Sequence, residues 1–144
     1  MAETQNYKNH VRWNPFVHFI LTPLLTLYLI WQSVRLYQDF DWDRVANVVL
    51  AVLLILLSLA ARLQALTVQN RVIRLEETLR YREILPPELA QKALQLRTGQ
   101  MIALRFAPDA ELPALVQKTL QGEFKNNKEI KLAIENWRGD YLRA

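Results

Sequence analysis

Two stretches of this sequence, residues 15–33 and residues 45–61, contain no Asp, Glu, Lys or Arg. Each approaches the roughly 17–25 apolar residues that a helix needs to cross a bilayer core. A buried helix of a soluble protein rarely stays free of charge over such a length, so a soluble helical bundle is the less favoured alternative. The two stretches therefore predict two transmembrane helices, which we place at residues 14–36 and residues 44–61.

Charged residues around these stretches set the expected orientation. The short connector, residues 37–43, carries three aspartates, whereas five arginines follow the second stretch between residues 62 and 82. Lys8 and Arg12 lie in the polar N-terminal segment, residues 1–13. Short loops rich in Lys and Arg stay on the cytoplasmic side of a membrane. We therefore predict that both termini are cytoplasmic and that the connector faces outward.

The helical pattern continues where the second apolar stretch ends. Small and apolar residues recur at alternate steps of four and three, which is the spacing of a coiled-coil seam. The expected partner contacts on this seam are Ala51, Ser58, Ala61, Val68, Val72, Leu75 and Leu79. Small residues suit close helix approach in lipid, and the larger ones suit packing in water. We predict one continuous helix with a single contact face, whose later part, residues 62–85, is a cytoplasmic stalk.

The sequence leaves open what covers the seam on the stalk. Leu66 and Ile73 lie beside the seam and widen it, so a helical bundle fits as well as a two-stranded coil. The stalk would project about 36 Å at 1.5 Å per residue, too far for the segment before the first span to cover. Either the C-terminal segment folds back on it or another chain packs there. Away from the seam, Glu76 and Arg80 are spaced for an i,i+4 ion pair.

Residues 86–144 are predicted to form a small module of short helices. A proline pair directly after Leu85 ends the stalk and starts the next helix. We expect Thr98 to cap a second helix, Gly122 to end a third, and Asn126 to open a fourth with a capping box. The apolar face expected on this fourth helix is Ile130, Ala133, Ile134, Trp137 and, if the helix continues past Gly139, Tyr141.

The first span contains three features of chemical interest. Asn14 is expected to cap it. Pro23 should kink it, with Thr22 or Thr26 bonding the freed carbonyl; such a kink could act as a gate, but a packing bend is favoured. His18 is ionisable, and an ionisable residue inside a membrane is a candidate for proton handling. Its shallow position favours an ordinary hydrogen-bonding role.

Enzymatic chemistry finds no support in the sequence. The chain has no cysteine, three glycines and two histidines, and it shows no paired nucleophile and base, no metal cluster and no phosphate loop. The connector lacks the glycine and glutamate of a calcium loop, so Asp41 or Asp43 is expected to cap the second helix instead. We predict a non-enzyme with no catalytic, cofactor or metal site and no identified small-molecule substrate.

A homo-oligomeric pore or transport element is one alternative function. Asn47 and Ser58 supply weakly polar side chains within the second span, and the kink at Pro23 could serve as a gate. These features permit a pore without requiring one.

A membrane-tethered nucleic-acid-binding module is another alternative. Lys128, Lys131 and Arg138 fall along one side of the expected fourth helix. However, Glu135 interrupts this basic side and the charge of the module is nearly balanced. No nucleic-acid partner is therefore expected.

Four segments distinguish the chain: "NPFVHF" entering the first span, "RLQALTVQNRVIRLEE" leaving the second, and "QMIALRFAPDAELPALV" and "EIKLAIENWRGDY" in the tail. Together they resemble an uncharacterised family of small bacterial two-span membrane proteins. The resemblance covers nearly the whole chain and implies a location in the bacterial inner membrane. It implies no activity, ligand or catalytic residue.

These features predict an all-α membrane protein. A transmembrane hairpin of two helices would continue into a cytoplasmic stalk and end in a small helical module. The expected function is non-enzymatic, either as an accessory or assembly subunit of a membrane complex or as a self-associating scaffold. The expected partners are the lipid bilayer and a protein, foreign or a second copy, that contacts the second helix.

Overall fold

The structure is a computed structural model that describes residues 5–7, 9 and 14–140. Across this part the chain is helical and forms no β-strand. A π-helical turn, Phe16–Leu21, is followed by helices α1 to α6 at Thr22–Gln38, Trp42–Ile84, Pro87–Ala93, Thr98–Leu104, Leu112–Leu120 and Asn127–Leu132. The expected all-helical order, with two long helices before several short ones, is confirmed. Expectations for Lys8, Arg12 and Tyr141 lie outside the described residues.

The first long helix begins with the π-helical turn. Asn14 Oδ1 accepts a hydrogen bond from the backbone N–H of Val17 at 3.3 Å, so Asn14 caps this end as expected. The carbonyl of Asn14 accepts a bond from the N–H of His18, 3.0 Å away. The N–H of Thr22 bonds the carbonyl of Val17, and this five-residue step defines a π turn.

Pro23 lies at the start of α1, directly after the π turn. The Thr22 hydroxyl donates to the carbonyl of Val17 and the Thr26 hydroxyl to that of Thr22, both at 2.8 Å. A proline at position 23 frees the carbonyl of Phe19, which neither hydroxyl bonds. The expectation that a threonine bonds the freed carbonyl is wrong. Each hydroxyl bonds a carbonyl four or five residues earlier in the chain. Phe19 lies three residues before Thr22 and seven before Thr26, so neither hydroxyl reaches its carbonyl.

Arg44 connects the two long helices. Its Nη1 donates to the carbonyls of Arg35, at 3.1 Å, and Asp39, at 2.5 Å. The carbonyl of Arg35 also accepts the N–H of Asp39 at 3.2 Å. Because the carbonyls at the end of a helix lack a full set of partners within it, this guanidinium caps α1 from the first turn of α2. The carbonyl of Asp41 accepts bonds from the N–H groups of Arg44 and Val45. Asp41 therefore occupies the N-cap position of α2, which was expected for either Asp41 or Asp43.

Helix α2 is uninterrupted over 43 residues, which corresponds to about 64 Å. It ends at Ile84 because Pro86 disfavours helical geometry at the residue before it. Two helices are long and apolar enough to cross a membrane. They are Phe16–Gln38 and Trp42–Ile84, with mean hydropathies of 1.5 and 2.4 over their most apolar windows.

The chain divides into two compact units, and the division falls inside α2 between Leu66 and Thr67. The hairpin unit contains the π turn, α1 and the first part of α2. The C-terminal unit contains the last part of α2, helices α3 to α6 and the described residues near the N-terminus. Among the latter, Gln5 Oε1 accepts a bond from the N–H of Asp140 at 2.7 Å.

The core of the C-terminal unit joins the end of α2 to the short helices. Tyr81 and Leu85 are buried with residues of the module. Their buried core partners are Ala90, Ala93, Leu96, Met101, Ala103, Leu104, Phe106, Ala107, Leu112, Leu115, Val116, Ile130 and Ile134. The C-terminal segment therefore folds back on the end of its own stalk, one of the two arrangements that the sequence left open.

The two helix caps expected in the module, for α4 and α6, have different outcomes. Asn126 Oδ1 accepts bonds from the N–H groups of Lys128 and Glu129, each at 3.0 Å, which confirms Asn126 as the cap of α6. The cap of α4 is Arg97, because its backbone is extended while Thr98 is already helical. The expectation that Thr98 caps this helix is wrong by one residue.

Helix α6 ends at Leu132, so the expectation that it continues to Trp137 is wrong. The carboxylate of Glu111 accepts bonds from the N–H groups of Glu135, at 3.1 Å, and Asn136, at 3.0 Å. These groups would otherwise donate within a longer helix. The chain after α6 instead lies against α5 and the core.

Candidate functional site

The expected partner contacts fall into differently exposed sets. In the hairpin unit, Ala51 is fully buried and Ser58 is half-buried, whereas Ala61 is exposed. In the C-terminal unit, the exposed fractions are 60%, 48%, 60% and 53% for Val68, Val72, Leu75 and Leu79. We call these four residues the stalk stripe. Their role as partner contacts stays a prediction.

A seam at this period does not follow a straight α-helix. A repeat of 3.5 residues drifts by about 20° per heptad around a straight α-helix, and the helices supercoil where such a seam stays in contact. One continuous contact face on α2 therefore stays a prediction.

Two of the small seam residues, Ala51 and Ser58, are covered within the hairpin unit, whereas Ala61 is not. Ser58 lines a pocket of about 230 Å³ between the two long helices, and Ala51 lies two turns before it on the same side of α2. We call this cavity the hairpin pocket. Its lining residues are Val17, His18, Thr22, Leu25, Thr26, Ile55, Ser58, Leu59 and Arg62.

The module covers a different side of α2 from the stalk stripe. The covered side carries the buried residues Ile73, Glu77, Arg80 and Tyr81. At 3.6 residues per turn, Glu77 and Tyr81 point away from Val72. The stripe is left uncovered although the module has folded back on the stalk.

A charge cluster joins the covered side of α2 to the module. The guanidinium of Arg80 donates to Asp109 Oδ1 from Nη2, at 2.6 Å, and from Nε, at 3.0 Å. It also donates to Glu77 Oε2 at 3.3 Å and to the carbonyl of Ala107 at 2.6 Å. Glu76 is therefore not its partner, and the expected i,i+4 pair is wrong because Arg80 turns toward the module.

A second ion pair lies beside this cluster. Arg105 Nε is 3.2 Å from Asp140 Oδ2, and the Arg105 guanidinium also stacks 4.6 Å from the ring centre of Phe106. Both pairs border a cleft of about 750 Å³. The Arg80 contacts hold the module on the stalk, whereas the pair of Arg105 and Asp140 lies within the module.

Burial perturbs two titratable groups of the covered side. It raises the pKa of Glu77 above the ordinary value of 4.5, against the lowering effects of Arg80, Arg138 and Arg105. Burial, together with the nearby Glu77, also raises the pKa of the Tyr81 phenol well above its usual range. The Tyr81 hydroxyl makes no hydrogen bond to any described residue. Tyr81 is therefore a neutral core residue at neutral pH.

The basic residues near the C-terminus do not share one helical side. Lys131 lies in α6 with its ammonium 5.6 Å from the ring centre of Phe106. Arg138 follows the helix, and its backbone N–H bonds the carbonyl of Phe106 at 2.7 Å. Trp137 stacks on the same ring, 4.8 Å between centres. These residues pack around Phe106 rather than forming the predicted basic face.

The sequence reasoning missed Glu77, Tyr81 and Asp109, and it paired Arg80 with Glu76. One signal could have revealed the covered side, since Ile73, Glu77, Tyr81 and Ile84 recur at helical spacing. One of its two central positions, Glu77, is charged, and charged residues usually lie in water. Within the described chain, no group of three or more His, Cys, Asp or Glu side chains could hold a metal ion.

The fold defines an all-helical protein with two long apolar helices and a small module docked on the second of them. The chain belongs to DUF6526, a family of unknown function that matches residues 1–144. This confirms the expected uncharacterised family. No curated protein and no solved structure matches the chain.

Proposed function

We propose that this protein is an integral membrane interaction protein that associates with a second copy of itself through the stalk stripe. The observation that carries the proposal is the exposure of four apolar side chains on the stalk after the module has docked elsewhere. Burial of each of these side chains in an interface stabilises the complex by roughly 1 kcal/mol. An accessory subunit with a foreign partner on the same stripe is the alternative form.

Surface composition supports the membrane part of the proposal. Only 6% of the most apolar window of either long helix is buried, and Phe19, Leu24 and Leu27 are each at least 60% exposed. A helix of a soluble core is mostly covered by protein, whereas these helices need lipid to cover them. In this arrangement both termini face the cytoplasm of a bacterium and the membrane is the inner one, following the positive-inside rule and the family resemblance.

The spacing of the stripe favours a second copy as the occupant. Val68, Val72, Leu75 and Leu79 occupy alternating d and a positions of a heptad, and a helix with the same period packs best against them. Two copies anchored in one membrane hold their stalks side by side at a high local concentration. The stripe is then complementary to itself.

Charges beside the stripe support parallel pairing. Arg71 occupies a g position and Glu76 the e position of the next heptad, and both side chains are exposed. In a parallel two-stranded coil, a g residue meets the e residue five positions later on the partner helix. Arg71 of each copy would therefore meet Glu76 of the other.

Native mass spectrometry of the full chain in mild detergent tests association. The expected species is a multiple of the 16.9 kDa chain, and Val72→Asp with Leu75→Asp should reduce it to one chain. Asn70→Asp adds charge on another side of α2 and should leave the multiple intact. An unchanged complex mass in the double variant would falsify the stripe as the contact. A complex that contains a foreign protein in place of a second copy would contradict self-association and support the accessory-subunit form.

Charge reversal tests the parallel pairing separately. Arg71→Glu places like charges opposite each other and should weaken the complex several-fold. Combining it with Glu76→Arg restores opposite charges and should recover the association of the wild type. Equal weakening by the single and the combined variants contradicts this pairing.

A further inference from the structure

The hairpin pocket combines an apolar wall with polar groups at one end. Leu25, Ile55 and Leu59 supply apolar surface, and Arg62 is the charged residue where the apolar stretch of α2 ends. At about 230 Å³, the cavity is smaller than the roughly 300–1,000 Å³ of sites that enclose a whole small molecule. It suits part of a larger ligand whose remainder lies along the helices.

Arg62 provides the recognition chemistry of this pocket. The residue is half-buried, and its guanidinium makes no ion pair or hydrogen bond with any residue in the described ranges. A guanidinium binds phosphate through two parallel N–H groups. The hydroxyls of Thr22 and Thr26 already donate to backbone carbonyls, so Arg62 is the main donor available to an anion.

The π turn and His18 shape the same end of the pocket. His18 Nδ1 lies 3.0 Å from the carbonyl of Asn14, and because a carbonyl only accepts, this nitrogen donates and orients the ring. The π turn widens the first helix directly beside the cavity. Such turns inside helices frequently mark functional sites.

We propose that the hairpin pocket binds an anionic phospholipid, with the phosphate on Arg62 and the start of one acyl chain against Leu25, Ile55 and Leu59. The proposal rests on the membrane insertion in the proposed function. A ligand that is part anion and part hydrocarbon matches the lining, and its second chain remains in the bilayer. Basic pockets between transmembrane helices on the cytoplasmic side bind such head groups.

The test uses the full chain in vesicles, followed by native mass spectrometry of retained lipid. Flotation with phosphatidylcholine vesicles is measured first, because a chain that does not float overturns both the membrane proposal and this one. Vesicles of phosphatidylcholine with phosphatidylglycerol then supply the probe. We expect retention of one phosphatidylglycerol per chain in preference to phosphatidylcholine.

Matched variants locate the site. Arg62→Gln should weaken phosphatidylglycerol retention at least about tenfold, the effect of losing a charged hydrogen-bond donor. Arg35→Gln removes the same charge from a residue outside the pocket and should retain the lipid. Ser58→Leu fills the pocket without changing any charge and should also reduce retention.

Three results overturn the lipid proposal while leaving membrane insertion intact. One is equal retention of the two lipids by a floating wild-type chain. Another is undiminished retention by both Arg62→Gln and Ser58→Leu. The last is displacement of the lipid by glycerol 3-phosphate at matching concentration, which would show that the site recognises a soluble phosphate without its hydrocarbon.

Discussion

Arg80 on α2 binds Asp109 with two donors, at 2.6 and 3.0 Å, and thereby ties the stalk to the chain between α4 and α5. The two partners differ in environment, since the Arg80 side chain is 9% exposed and that of Asp109 is 65% exposed. Glu77 supplies a second carboxylate, and its side chain is 7% exposed. Arg80 therefore compensates a buried charge on one side and forms a surface ion pair on the other.

Replacing Arg80 should destabilise the C-terminal unit far more than replacing Asp109. Arg80→Met leaves the Glu77 carboxylate buried without its main partner, which costs about 3–5 kcal/mol. Asp109→Asn removes a solvent-screened charge and costs about 0–1 kcal/mol. Hydrogen exchange of the α3 to α6 peptides in the full chain measures both effects. Similar losses in the two variants would contradict the assigned division of roles.

The stability of the C-terminal unit should depend on the protonation of Glu77. Because the folded pKa lies above the ordinary value of 4.5, the unfolded chain releases this proton first. The contribution of Glu77 is fully present below pH 4.5 and is lost as the pH rises through the folded pKa. As the pH rises through the folded pKa, the free energy of unfolding of the wild-type protein should therefore fall relative to that of Glu77→Gln.

Denaturation of the two full-length proteins at several pH values checks the dependence on Glu77. Glu123→Gln removes an exposed carboxyl of the same unit and serves as the control. A difference between wild type and Glu77→Gln that stays constant with pH would exclude the effect.

Two glycines of the C-terminal unit should respond differently to alanine. Gly122 has a φ of +77°, a conformation that costs an L-residue about 1–2 kcal/mol, so Gly122→Ala should destabilise by that amount. At Gly99 a Cβ would lie 2.5 Å from Asn127 Nδ2, but this exposed side chain can turn away. Gly99→Ala should change stability by less than about 1 kcal/mol, helped by the better helix propensity of alanine.

Thermal unfolding of both glycine variants measures the contrast. Adding Asn127→Ala to Gly99→Ala removes the neighbour and shows whether any cost came from that contact. A larger loss at Gly99 than at Gly122 would contradict the expectation.

The cap supplied by Arg44 should stabilise the end of α1. Arg44→Met removes the guanidinium bonds to the carbonyls of Arg35 and Asp39, although the carbonyl of Arg35 keeps its bond from the N–H of Asp39. We expect the last turn of α1 to lose about 1–2 kcal/mol. Hydrogen exchange of that turn measures the loss. Asp39→Asn keeps both carbonyl bonds and should have the smaller effect, because the Asp39 side chain is 71% exposed. Equal exchange in both variants argues against the cap.

The long helices could be predicted because their signals are local and strong. Absence of charge over residues 45–61 and a proline at position 86 determine an apolar helix and its end without knowledge of any contact. The end of α6 could not be predicted in this way. Leu132 is followed by residues of helical pattern, and only the distant Glu111 carboxylate captures the N–H groups that would extend the helix.

By itself, the sequence determined the all-helical class, the two long apolar helices and the heptad spacing of the stalk stripe, because periodicity and proline act on neighbouring residues. The tertiary structure decided which side of α2 the module covers. That choice depends on Arg80 reaching Asp109, 29 residues later in the chain, and on Tyr81 entering a core shared with α3 to α6. Contacts between residues so far apart in the chain produce no regular spacing in the sequence. Because Glu77 and Arg80 are charged, the buried side of α2 has the sequence pattern of a solvent-exposed side.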